Sequence, residues 1–186
     1  AAGGTGLDQG YDIALAPGGD VIVTGAFSSA LDLGGTAEAL TSEGERDIFL
    51  ARLSPDGTAV WARGYGDAAD NFLNDFEDNT WPTLDVGDDG TIHLAGSLAG
   101  TASFGTGTLS SAGKVDVYLA RFDADGNGLS AQRFGGAGTE IALGVAADPS
   151  GASAIVGRFF ASSLSFGSSG SVTNHGNSDA YVAKLP

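Results

Sequence analysis

The side chains best suited to chemistry crowd into one stretch. Asp67 to Gly90 carries eight acids (Asp67, Asp70, Asp75, Glu77, Asp78, Asp85, Asp88 and Asp89) and no base. Hard cations such as calcium take about six to eight oxygens from flexible carboxylates, amides and carbonyls. Asn71, Asn74, Asp75, Glu77, Asp78 and Asn79 could supply several of these, although their spacing matches no defined calcium loop. The plainer reading is a solvated acidic loop anchored by Phe72, Phe76 and Trp81. These aromatics are the expected binding set, and Trp81, kept near a surface by Pro82, could stack on a sugar. Were the stretch catalytic, Asp70 with Asp75 or Glu77 would be the first acid pair to consider, at the roughly 5 to 10 Å separation of a glycoside-cleaving pair.

A second acidic motif, Asp123-Ala-Asp125-Gly-Asn127-Gly128, begins like a calcium loop but lacks the Glu that closes one. The equivalent Ser54-Pro-Asp56-Gly57-Thr58 keeps the turn and loses the ligands, so the turn is structural, with calcium at Asp123, Asp125 and Asn127 the open alternative. The two His are unrelated: His93 falls inside a strand as a packed residue, and His175 lies in a turn. No Gly-x-Ser-x-Gly elbow supports a Ser-His-Asp triad, and no phosphate-binding loop precedes a helix. With no Cys there is no disulfide, thiolate zinc site or Cys nucleophile.

Net charge is −15, and the few bases stand singly at Arg46, Arg52, Arg63, Lys114, Arg121, Arg133, Arg158 and Lys184. Nucleic-acid binding needs clustered cations to replace counterions, so DNA and RNA are excluded as partners. An anionic membrane surface is disfavoured on the same ground, and no apolar run approaches the ~20 residues that span a bilayer. An acidic, Gly-rich chain suits an extracellular or cell-surface setting, with the periplasm as an alternative. No Met and no signal peptide are present, which leads us to expect a removed leader or an excised segment.

These residues must be positioned by a repeat. Asp47-Ile-Phe-Leu-Ala-Arg-Leu53 returns as Asp116-Val-Tyr-Leu-Ala-Arg-Phe122 and Asp179-Ala-Tyr-Val-Ala-Lys-Leu185. Val23-Thr-Gly25, Leu94-Ala-Gly96 and Ile155-Val-Gly157 keep the same order, as do Leu33-Gly34, Phe104-Gly105 and Phe166-Gly167. Three landmarks recurring three times mark a repeat architecture. Within each copy, apolar residues alternate with period two between turns such as Pro17-Gly-Gly19 and Ser54-Pro-Asp-Gly57, which predicts strands and no usable helix. Copy one predicts strand a over Tyr11 to Ala16, b over Asp20 to Phe27, an extended piece at Ala30 to Leu33, c over Asp47 to Leu53 and d over Thr58 to Tyr65. The fold expected is all-β: three four-stranded antiparallel repeats, approximately 1–66, 67–136 and 137–186, the last incomplete, stacked as blades of a β-propeller within a single segment. Asp47, Asp116 and Asp179 recur in every copy and are expected to fix the blade by bonding the amides of a neighbouring strand.

The repeat resembles the bacterial SBBP-type β-propeller family. Asp47 to Gly57 with Trp61, and Asp116 to Gly128 with Phe134-Gly-Gly136, carry the likeness over nearly the whole chain. It implies a secreted or surface propeller with no assigned activity and transfers no catalytic residue. The chain opens at Gly3-Gly4, matching Gly135-Gly136, and closes after the third c motif. A propeller needs about four to eight blades, so the remaining blades are expected from a longer chain or from a second copy, the former preferred. The expected function is a non-enzymatic binding or scaffold module for protein or glycan partners, with calcium stiffening as a variant of that reading. A fragment of a propeller-type polysaccharide hydrolase or lyase, and a structural part of a surface assembly, are the alternatives.

Overall fold

Short alternating segments between glycine-bearing turns become strands, and the structure, a computed structural model, describes residues 3–66 and 81–186 as almost wholly β. The first blade comprises β1 (Asp8–Leu15), β2 (Val21–Phe27), β3 (Ala30–Leu31), β4 (Leu40–Thr41), β5 (Asp47–Leu53) and β6 (Ala59–Tyr65). Its antiparallel sheet runs β1-β2-β5-β6, with β3 and β4 forming a separate hairpin between the b and c strands. The second blade repeats this with β7 (Thr83–Val86), β8 (Ile92–Leu98), β9 (Thr101–Ser103), β10 (Thr108–Ser110), β11 (Asp116–Phe122) and β12 (Gly128–Phe134). The third has β13 (Glu140–Ala147), β14 (Ser153–Phe159), β15 (Ser163–Ser165), β16 (Ser171–Thr173) and β17 (Asp179–Leu185), in a three-stranded sheet β13-β14-β17. The architecture is that of β-propeller blades.

Two differences from the sequence reading stand out. Strand a of the first blade begins at Asp8 rather than Tyr11, across an irregularity between Gly10 and Asp12. The single extended piece at Ala30 to Leu33 is one arm of a hairpin whose second arm recurs as β4, β10 and β16. Arms of two or three residues are too short to show alternation.

Turns stop the first two c strands in step: Gly57 and Gly126 close i→i+3 turns on Ser54 and Asp123 between strands c and d, with φ of 84 and 78°, where a side chain is strained. Gly151 closes the same kind of turn on Asp148 between strands a and b of the third blade, with φ of 85°. Inside each blade, a glycine of strand b stands opposite an aromatic of strand c: Gly25 with Phe49, Gly96 with Tyr118, Gly157 with Tyr181. The ring lies over the bare backbone, so a Cβ at Gly96 would come within 2.5 Å of the Tyr118 oxygen.

The core sits between blades. Ile48, Leu50, Trp61 and Tyr65 of the first blade pack against Leu94, Leu98, Phe104, Tyr118 and Phe122 of the second. On the other face of the second blade, Val117, Leu119 and Phe134 meet Ile155, Phe159, Phe166, Tyr181 and Leu185 of the third. The central strands of the second blade are thus covered on both sides, which is why β8 is buried at all seven positions.

Candidate functional site

The junctions gather a set of buried and half-buried polar side chains, and they are built alike. At the end of each c strand stands a cation. Arg52 bonds Asp20 at 2.5 Å and donates from Nη1 to the Ala124 carbonyl of the next blade at 3.0 Å. Trp61 Nε1 donates to the same carbonyl at 3.1 Å, which places this indole in blade packing. Arg121, the equivalent in the second blade, donates to Pro186 O at 2.7 Å and Leu185 O at 3.1 Å. It also donates to Ser153 Oγ at 3.0 Å, which lies 2.7 Å from His93 Nδ1. His93 is fully buried there, and burial first, then Arg121, holds its pKa down, so it serves as a neutral packed group. Nearer the a strands, Asp12 accepts from the Leu84 amide and Asp85 from the Ala147 amide, each at 2.8 Å across a blade boundary.

A buried carboxyl pair marks the second junction. Asp116 and Glu140 have no exposed surface and meet at Gly135, where a Cβ would fall 2.4 Å from Asp116 Oδ1 and 2.6 Å from Glu140 Oε2. Arg133 pairs with Asp116, and the Gly136 amide donates to Glu140 at 3.1 Å. Burial pushes the Glu140 pKa up, the Gly136 amide draws it back, and the nearby Asp116 charge raises it further. Sealed from solvent, the pair cannot reach a glycosidic oxygen; it sits where the second and third blades meet.

The recurrent Asp at the head of each c strand braces its own incoming loop: Asp47, Asp116 and Asp179 accept from the amides of Glu43, Ala112 and His175 at 2.7–2.8 Å, four residues back. The chain returns from the inserted hairpin just ahead of these residues, so the nearest free amide is their own.

Of the sequence-predicted site residues, Phe72, Asp75, Phe76, Glu77 and Asp78, like Asp70, lie outside the described residues. Trp81 is half-buried and stacks on Tyr11 with ring centroids 4.3 Å apart. Asp123 braces its own turn, with Oδ1 accepting from the amides of Asp125 at 3.0 Å and Asn127 at 2.8 Å, while Oδ2 accepts from Asn127 Nδ2 at 2.9 Å. Those bonds to Asn127 hold its carboxyl below the usual range. Asp125 is exposed and 4.0 Å from Arg52. Among the described residues, no three His, Asp or Glu side chains converge on a metal-sized site. No described helix is long and apolar enough to cross a membrane.

Sequence reading expected further blades without naming the residues that would meet them, which lie on the outer faces of the first and third blades. On the third blade, Val156 and Val182 are 42% and 75% exposed, whereas their equivalents Ala95 and Leu119 in the second blade are 0% and 2% exposed. Lys184, the counterpart of Arg52 and Arg121, bonds Asp148 of its own blade at 2.7 Å. On the first blade, Ile13 and Leu15 are exposed where Leu84 is buried and Val86 is packed into the core. The signal was available: aligning the three copies marks these as junction positions.

No family model matches the chain. The chain is similar to an uncharacterized WD repeat-containing protein of Acanthamoeba polyphaga mimivirus, 25% identical over 187 residues. The match covers 92% of this chain, and the chain spans 13% of that protein's length. This likeness supports a β-propeller-type repeat.

Proposed function

We propose that the chain is a non-enzymatic β-propeller module that scaffolds protein partners, and that its blade stack continues through the free face of the third blade. One observation carries this reading: Val182 is 75% exposed at the position that Leu50 and Leu119 bury against the next blade. Burying apolar surface contributes about 25 cal/mol per Å², and an uncapped repeat array presents such faces to whatever can stack on them. The occupant is another blade carrying an aromatic over a strand-b glycine, as Tyr118 and Tyr181 are carried here. The relative's WD repeats fit a role in protein association. The finer assignment to SBBP-type bacterial repeats and to a secreted or surface setting rests on the motif Asp47 to Gly57 and on the charge of −15.

Light scattering of the chain across a concentration series at about 0.15 M salt tests the reading, with Val182→Asp as the comparison. Concentration-dependent association above 18.4 kDa that Val182→Asp abolishes is expected. A monomer at every concentration, or association indifferent to the substitution, would overturn it.

A further inference from the structure

The buried carboxyls of Asp116 and Glu140 have more acceptor oxygens than donors to meet them. Asp116 Oδ2 accepts from the Ala112 amide at 2.7 Å and pairs with Arg133. Glu140 Oε2 accepts from the Gly136 amide at 3.1 Å. Asp116 Oδ1 and Glu140 Oε1 are buried with no hydrogen-bond partner. The two side chains also crowd one spot, since a Cβ at Gly135 would strike both Asp116 Oδ1 and Glu140 Oε2. A single Arg133 against two carboxylates leaves one negative charge uncompensated among residues with no exposed surface, which is a costly arrangement.

The pair spans the connection between two blades. Asp116 heads β11, and Glu140 heads β13 directly after residues 135–139, which lead out of β12. That connection is tied back to the second blade by two backbone bonds: the Lys114 amide donates to Gly138 O at 3.1 Å, and the Glu140 amide to Val115 O at 2.9 Å. β11 is held far more firmly, paired along its length with β8 on one side and β12 on the other. Among the described residues, the charged or titratable groups facing Glu140 are Asp116 from β11, Arg133 from β12 and Tyr181 from β17, while β14 sets Phe159 opposite it.

We propose that Asp116 and Glu140 hold a single proton between them at pH values where free carboxyls are ionised, and that releasing it loosens the connection between the second and third blades. The proton sits on Glu140 and is donated in a hydrogen bond to Asp116 Oδ1. It supplies a missing donor and brings Asp116, Glu140 and Arg133 to neutrality as a group. Burial pushes Glu140 the same way, and the Asp116 charge adds to it against the pull of the Gly136 amide. As pH rises through the folded value, hydroxide takes the proton as water. Two adjacent carboxylates then share Arg133 and repel each other at Gly135. The strain is relieved where the chain is held least, at residues 135–139, while β11 keeps its ladders. The connection is therefore a hinge that alkali opens: its contribution is complete below the unfolded carboxyl pKa and is lost above the folded one.

Carbon-13 NMR of the full chain, labelled at the glutamate side-chain carboxyls and titrated across the acid-to-alkaline range, tests the shared proton. One resonance should titrate at least about one pH unit above the ordinary glutamate value of about 4.3. It should be missing in Glu140→Gln and move back towards the ordinary value in Asp116→Asn, where the amide donates and no second charge is present. Amide exchange at residues 136–140 should quicken about ten-fold or more beyond its intrinsic pH dependence as that midpoint is passed, with β11 unchanged. Glu140→Gln, whose amide donates to Asp116 at every pH, should abolish that step, and it keeps the test valid if Asp116→Asn does not fold. The proposal is overturned if every glutamate of the folded chain titrates in the ordinary range, or if the raised resonance survives in Glu140→Gln. A raised resonance that a folded Asp116→Asn leaves in place would assign the shift to burial alone and overturn the sharing. Unchanged exchange at residues 136–140 across the midpoint would overturn the hinge.

Discussion

β11 and β17 are nearly the same sequence in two different surroundings. Asp116-Val-Tyr-Leu-Ala-Arg-Phe122 is buried or nearly so along its whole length, with a blade on either side. Asp179-Ala-Tyr-Val-Ala-Lys-Leu185 alternates, burying Tyr181, Ala183 and Leu185 and exposing Val182 and Lys184. The same motif is buried throughout where a blade lies on either face and alternates where a blade lies on one face only. That is how a repeat protein reads as a line of nearest-neighbour interfaces.

The sharpest way to probe the contrast is to truncate equivalent residues. Leu119→Ala removes a side chain sealed between blades and should cost about 2–5 kcal/mol in urea denaturation. Arg133→Ala strips the cation from buried Asp116 and should cost about 1–3 kcal/mol, below the range for a fully buried pair because Arg133 is 30% exposed. Asp179→Ala, at the open equivalent, should cost well under that, on the order of 1 kcal/mol or less.

A pH series adds a third contrast. The Glu140 pKa is raised in the folded state by burial, so the fold favours its protonated form. Its contribution is complete below the unfolded carboxyl pKa and is lost as pH rises through the folded value. Melting temperatures from pH 4 to 8 should therefore show a decline in the native chain that Glu140→Gln removes. An unchanged slope in that variant would mean that the buried Glu140 carboxyl does not set the pH dependence. Smallest of all, Val182→Ala should change stability by no more than about 0.5 kcal/mol in dilute solution, since the side chain is mostly in water.

The c strands, the turns and the threefold repeat were legible because each rests on local chemistry: alternation, a glycine at positive φ, and motifs repeated at near-constant spacing. β5 and β17 begin and end where the sequence placed them. The two- and three-residue arms of the inserted hairpins were not legible, because they carry too few residues to show a period. The carboxyl pair was hidden for another reason. Asp116 and Glu140 come from different blades, and only the close approach at Gly135 brings them together. An end face of the stack was expected from the repeat, but Val182 reads as an ordinary core residue, so its 75% exposure was not. The acidic stretch that looked most chemical falls largely on residues outside those described.

Native-state amide exchange, read separately for β11 and β17 at low and high protein concentration, tests the stacking claim most directly. Stacking predicts that in dilute solution β17 exchanges at least about a hundred-fold faster than β11, a local opening well short of global unfolding. It predicts too that the gap narrows as concentration rises and the free face of the third blade is covered. Equal protection of the two strands in dilute solution, or a gap that concentration leaves untouched, would contradict it.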